Sequence, residues 1–80
     1  MRVVVGFDVS HDKLTLVAEK LSGREEVRWL SVTTGRFDII AIMWFSSTDE
    51  LFNFMEREVG KLEGLTNTET FVCLDLTKHI

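Results

Sequence analysis

Phe37-Asp38-Ile39-Ile40-Ala41-Ile42-Met43-Trp44-Phe45 is the stretch that decides the fold of this 80-residue chain. Successive side chains of a strand point to opposite faces. Phe37, Ile39, Ala41, Met43 and Phe45 are therefore expected on one side, and Ile40, Ile42 and Trp44 on the other. Asp38 is the sole polar interruption before Ser46. A strand apolar on both faces needs a cover on each. Helices of the same domain can supply one, and a symmetry-related sheet from a second copy is the simplest source of the other, since homodimers are the commonest oligomers. The alternative is a loop or tail of the same chain, for which no spare segment is evident. Ile40, Ile42 and Trp44 are accordingly the expected interface residues.

Size supports the need for a partner. A domain this small buries only about 60% of the surface its unfolded chain exposes, and chains below roughly 70–80 residues usually gain stability from disulfides, a metal or association. Cys73 is the only cysteine, which excludes an internal disulfide, and two histidines add little to a metal site. Association remains, and 45% apolar residues provide the surface for it.

Working outward from the central run, Val3, Val5, Phe7 and Val9 alternate with Val4, Gly6 and Asp8, which predicts a strand over residues 2–9. Ser10 is a possible N-cap for a helix over 11–22, with Leu14, Val17, Ala18 and Leu21 at helical spacing and Gly23 as its stop. Glu26–Thr34 is rich in strand-favouring residues and pairs with the central run as a hairpin through Thr34-Gly35-Arg36. Ser47-Thr48-Asp49-Glu50 matches a capping box, in which Glu50 would bond back to the cap residue. It starts a helix over 48–63 with Leu51, Phe54, Met55, Val59 and Leu62 inward and Gly64 at its end. A fourth strand is expected over 66–76, with Thr68, Thr70 and Val72 on one face and Glu69, Phe71 and Cys73 on the other. The order βαββαβ is that of an α+β ferredoxin-like plait with an antiparallel sheet, both helices lying on one face. The chain reads as a single domain over 1–80.

Composition narrows function. Thirteen acidic residues against nine basic ones give a formal charge of −4, and the basic side chains look scattered along the chain, which argues against nucleic-acid binding by these residues. No apolar run approaches the ~18 residues of a membrane span, so a soluble cytoplasmic protein is expected. Catalytic constellations are thin. Neither histidine neighbours a serine or cysteine in a recognisable motif, Cys73 reads as a small core residue, and no phosphate-binding glycine pattern is present. No cofactor is implied, and no enzyme is expected. Trp29 and Trp44 suit sheet or interface packing better than ligand stacking.

The hairpin Thr34-Gly35-Arg36-Phe37-Asp38 is the one site candidate, since it holds a glycine, a guanidinium and a carboxylate within five residues. An amino acid offers an ammonium for Asp38 and a carboxylate for Arg36 or backbone amides. A turn glycine beside a solvated ion pair is the competing explanation of the same residues.

The same five residues, the capped helix with Leu51, Phe54 and Leu62, and Gly64-Leu65-Thr66-Asn67-Thr68-Glu69-Thr70 together resemble the RAM-type regulatory domain of the Lrp/AsnC transcription regulators. The pattern is a strand ending in Thr-Gly, an aromatic, an Asp, an apolar strand, a helix, and Gly-Val followed by two threonines one residue apart; Leu65 stands where valine is usual. The resemblance implies dimers joined through their sheets, association of dimers into tetramers or octamers, and a small effector, often an amino acid, between dimers. The effector residues would be Thr34, Gly35, Arg36, Phe37 and Asp38, with Thr68 and Thr70 contributing across an interface. Arg36 occupies a variable position of the pattern. Such regulators read DNA through a separate helix-turn-helix, which these residues do not encode. A fragment of a longer regulator and a stand-alone form both fit. Two other functions remain open, an oligomerisation module without a ligand that modulates full-length relatives, and a small dimeric ferredoxin-like enzyme.

Overall fold

The computed structural model of the protein describes residues 1–74. The last two positions of the expected fourth strand, Asp75 and Leu76, and also His79 lie outside them. The described elements follow the expected order: β1 (Arg2–Val9), α1 (Leu14–Ser22), β2 (Val27–Val32), β3 (Ile39–Trp44), α2 (Thr48–Phe54) and β4 (Leu65–Val72). The sheet order is β2-β3-β1-β4, antiparallel throughout. That is the ferredoxin-like plait expected from the sequence.

The helical layer covers one face only. Val3, Val5 and Phe7 of β1 and Ile39, Ala41 and Met43 of β3 are completely buried against Val17 and Leu21 of α1 and Leu51, Phe54 and Val59. Phe45 stacks at a tilt on Phe54, ring centroids 5.4 Å apart. At about 1.5–3 kcal/mol for each large apolar side chain removed from water, this layer holds the domain together.

Three local details differ from expectation. The chain enters α1 through a 3-10 turn, His11–Lys13, and the Ser10 side chain makes no capping bond; the backbone amide of Lys13 instead donates to the Ser10 carbonyl at 2.9 Å. Ser47 does cap α2, accepting from the Glu50 amide at 3.1 Å. Glu50, however, accepts from the amide and hydroxyl of Ser46 rather than from the cap residue. The second helix also stops being α-helical at Phe54 and continues as a π turn, Met55–Val59. Gly64 has φ 102°, the left-handed conformation that favours glycine, and its carbonyl accepts from the Ser10 amide at 2.8 Å. The second crossover is thereby fastened beside the first.

Candidate functional site

The face of the sheet turned away from the helices is where the candidate residues gather. Alternation from the buried positions puts Arg2, Val4, Gly6 and Asp8 of β1 on it. Register then adds Ile40 opposite Gly6, Ile42 opposite Val4 and Trp44 opposite Arg2, Trp29 opposite Ile42, and Phe71 and Glu69 opposite Val4 and Gly6. Trp29, Trp44 and Phe71 are exposed, while Val4, Ile40 and Ile42 are half-buried. Together they form a contiguous apolar surface on the side of the sheet that the helices leave open.

Phe37 departs from the alternation expected of it. It lies in the bend before β3, and its ring covers Gly6, where an added Cβ would come within 2.5 Å of the ring carbons. Because Gly6 faces away from the helices, so does the Phe37 ring, which is buried yet stands apart from the helix-side core. The Arg36 guanidinium lies 5.1 Å from the centre of that ring and pairs with Glu69 of β4 at 3.3 Å. The loop thus folds across β1 and is tied to β4. Gly6 and Glu69 escaped sequence reasoning, although an isolated glycine inside a strand is a recognisable sign of close approach by another group.

Asp38 is placed differently from a free ammonium ligand. Its Oδ2 accepts from the Val9 amide at 2.8 Å, and its own amide donates to the Phe7 carbonyl at 2.9 Å. The carboxylate therefore joins the start of β3 to the end of β1, at the point where pairing with β4 shifts register between Asp8 and Val9. Thr33 closes the loop, its amide donating to the Asp38 carbonyl and its hydroxyl to that of Phe37. Thr34 and Gly35 are exposed at the tip. Gly35 has open space around it and no positive φ, so the loop needs no glycine there for its conformation.

Thr68 and Thr70 pair with Phe7 and Val5, on the helix side of the sheet and opposite to the Phe37 ring. Both are exposed, and Thr68 lines a cleft of 270 Å³ with Met55, Val59, Leu62 and Leu65. One protomer does not bring the two threonines to Arg36 and Phe37.

Other features correct smaller expectations. Cys73 is exposed beyond β4. Lys20, Arg24, Arg57 and Lys61 line a groove of 500 Å³ between the helices together with Glu19 and Glu58, so cations dispersed in the sequence share one groove with carboxylates. Arg24 is engaged there with Glu58 at 2.5 Å. Among the described residues no group of three histidine, cysteine or acidic side chains is arranged to hold a metal, and no helix is long and apolar enough to cross a membrane.

The protein is thus an α+β domain of the ferredoxin-like class, with one helix-covered face, one apolar open face and a fastened polar loop at its end. Residues 2–79 match the family model described as the Lrp/AsnC ligand binding domain, and the chain belongs to this family. An uncharacterized HTH-type transcriptional regulator of Pyrococcus furiosus is 37% identical over 94% of the chain. The regulator LrpA of Pyrococcus abyssi is 32% identical over the same share. The chain spans about half the length of these curated relatives, 51% and 53%. They are regulators rather than enzymes, as the resemblance implied. In solved structures the fold recurs in AsnC of E. coli (TM-score 0.93, 21% identity, 99% of this chain and 54% of that one) and in FFRP-DM1 (0.87, 22%, 91% and 97%). It recurs also in a transcriptional regulator of Neisseria meningitidis solved in complex with L-Met (0.90, 16%, 98% and 52%).

Proposed function

We propose that this domain senses a small effector, an amino acid in the first instance, and transmits its presence through assembly of cytoplasmic dimers into higher oligomers. The observation that carries the reading is the open sheet face: Val4, Ile40, Ile42, Trp29, Trp44 and Phe71 form one apolar surface, bounded at one end by the Arg36–Phe37 loop. A second copy on this face removes it from water, and the loops at its margin then meet other chains. Thr68 and Thr70, on the opposite side of the sheet, join an effector site only as residues contributed by another protomer. The Neisseria regulator crystallised with L-Met supports the ligand class. Control of transcription follows where the domain is joined to, or assembles with, a chain carrying a helix-turn-helix.

Effector and assembly are coupled only if the ligand has different affinities for the dissociated and associated states. Asp38 has two possible duties, support of the Val9 amide and recognition of an ammonium. Asp38→Asn separates them, since the amide oxygen still accepts from Val9 while the charge is gone. Thermal-shift measurement against the twenty amino acids tests the reading directly, because a ligand that binds the folded state raises its melting temperature. A response to at least one amino acid that Asp38→Asn abolishes is the expected result. No response to any of them leaves oligomerisation alone as the function, and an undiminished response in the variant removes Asp38 from the site.

A further inference from the structure

The chain is acidic, with a formal charge of −4, yet one groove reverses that sign. Between the end of α1 and the π turn, Lys20, Arg24, Arg57 and Lys61 line a space of 500 Å³ together with Glu19 and Glu58. Four cations against two carboxylates leave the groove at +2, so the remaining five basic and eleven acidic residues of the chain carry −6. Charge of one sign gathered in a concave place focuses its field there.

Partners separate these cations from the others. Lys13 pairs with Glu63 and Arg36 with Glu69, while Arg2 and Arg28 lie 5.4 and 4.4 Å from the centre of the Trp44 ring. Arg24 pairs with Glu58 at 2.5 Å, a contact that joins the turn after α1 to the π turn and holds the two walls of the groove together. Among the described residues, Lys20, Arg57 and Lys61 have neither an ion-pair partner nor an aromatic ring. Lys20 and Arg57 lie in the last turns of their helical segments, where the backbone attracts a cation. That attraction acts on each end separately and gives no reason for three cations to share one groove, where like charges repel.

We propose that this groove binds a compact, multiply charged phosphate anion, a diphosphate or triphosphate group either free or borne by a nucleotide. Two ammonium groups and a guanidinium supply charge-assisted hydrogen bonds to phosphate oxygens, the guanidinium in bidentate fashion. The volume falls within the range of small-molecule sites, about 300–1,000 Å³. Glu19 is the groove's one carboxylate outside an ion pair. A singly charged anion gains little against it, whereas a multiply charged one engages all three free cations. The same charge distribution disfavours an extended polyanion: a nucleic acid would continue beyond the groove onto a surface carrying −6, and a compact phosphate ends where the cations end. The site stands on the helical layer, and the inference is independent of the proposed effector loop.

Calorimetric titration with pyrophosphate and with ATP, both free of divalent metal and at low salt, tests it. Saturable binding with one site per chain is expected, weakening as salt rises. Arg57→Gln and Lys61→Gln should each weaken it about tenfold. Lys13→Gln removes an equal charge outside the groove and should leave it unchanged, with circular dichroism verifying the fold of every variant. A second readout needs no variant: the backbone amide resonances of Gly23, Arg24 and Leu62 should shift on addition of pyrophosphate, while those of Thr34–Asp38 stay in place. Equal affinity for the two probes means that the phosphate group alone is read, and tighter binding of ATP adds a contact to the nucleoside; both outcomes support the site. No saturable binding of either probe, equal weakening by Lys13→Gln and Lys61→Gln, or shifts spread over the whole surface overturns it. A short DNA duplex held more tightly than either probe by the same residues overturns the compact anion in favour of nucleic acid. The amino-acid response read by thermal shift is separate, so either proposal can fail without the other.

Discussion

Gly6→Ala gives the sharpest test of how the candidate loop is held. An alanine Cβ at this position would stand 2.5 Å from Cγ and Cδ2 of Phe37, closer than any non-bonded carbon contact allows, so the ring has to leave. Phe37 is 8% exposed where it lies, and returning such a side chain to water costs about 1.5–3 kcal/mol. Alanine recovers about 0.5–1 kcal/mol through the lower backbone entropy of its unfolded state. The net loss is then about 1–2 kcal/mol, which lowers the melting temperature of a domain of this size by about 4–16 °C. Thermal denaturation followed by circular dichroism measures it, and a double-mutant cycle with Phe37→Ala isolates the contact. In the Phe37→Ala background the sign should reverse, Gly6→Ala becoming neutral or slightly stabilising. Equal destabilisation by Gly6→Ala in both backgrounds would refute the placement of the ring.

The remaining predictions concern the second helix and the open face. Ser47→Ala removes the side-chain acceptor for the Glu50 amide and should cost about 1 kcal/mol, read as a shift in the urea midpoint. The amide and hydroxyl of Ser46 hold the Glu50 carboxyl below its ordinary pKa of 4.5, the hydroxyl having the larger effect. A lowered folded pKa means that this contribution is complete above the unfolded value and disappears as pH falls through the folded one. Parent and Glu50→Gln should therefore differ most near neutrality and converge in acid, and a constant difference from pH 7 to pH 2 would count against the assignment. Ile42→Glu places an unpaired charge in the middle of the open face, where burial against a second copy is costly. Light scattering should find a folded monomer, and an intact dimer would exclude this face as the interface.

Much of the architecture was legible because alternation and helical spacing are local properties. Val3, Val5, Phe7 and Val9, and likewise Ile39, Ala41 and Met43, are buried as a period of two requires, and the Ser47 cap formed where the residue pattern placed it. The family resemblance was legible too, through the motif around Thr34–Asp38 and the threonines near Thr68. Details of the site were less accessible. Phe37 counted as one more inward position of β3, yet it precedes the strand, where the pleat no longer governs which way a side chain points. The Asp38 carboxylate reads as a free ligand until β1 is seen to bring the Val9 amide within 2.8 Å.

By itself the sequence determined the order of elements, the strand faces and the presence of one face too apolar for water, since each depends on neighbours along the chain. Only the tertiary structure decided that Gly6 makes room for Phe37, that Arg36 spends its charge on Glu69, and that Arg2 and Arg28 share Trp44. It also placed Thr68 and Thr70 on the side of the sheet away from the loop. These contacts join residues up to 65 positions apart, Val5 and Thr70, across strands whose register is set by packing of the whole sheet, and no local period encodes such pairs.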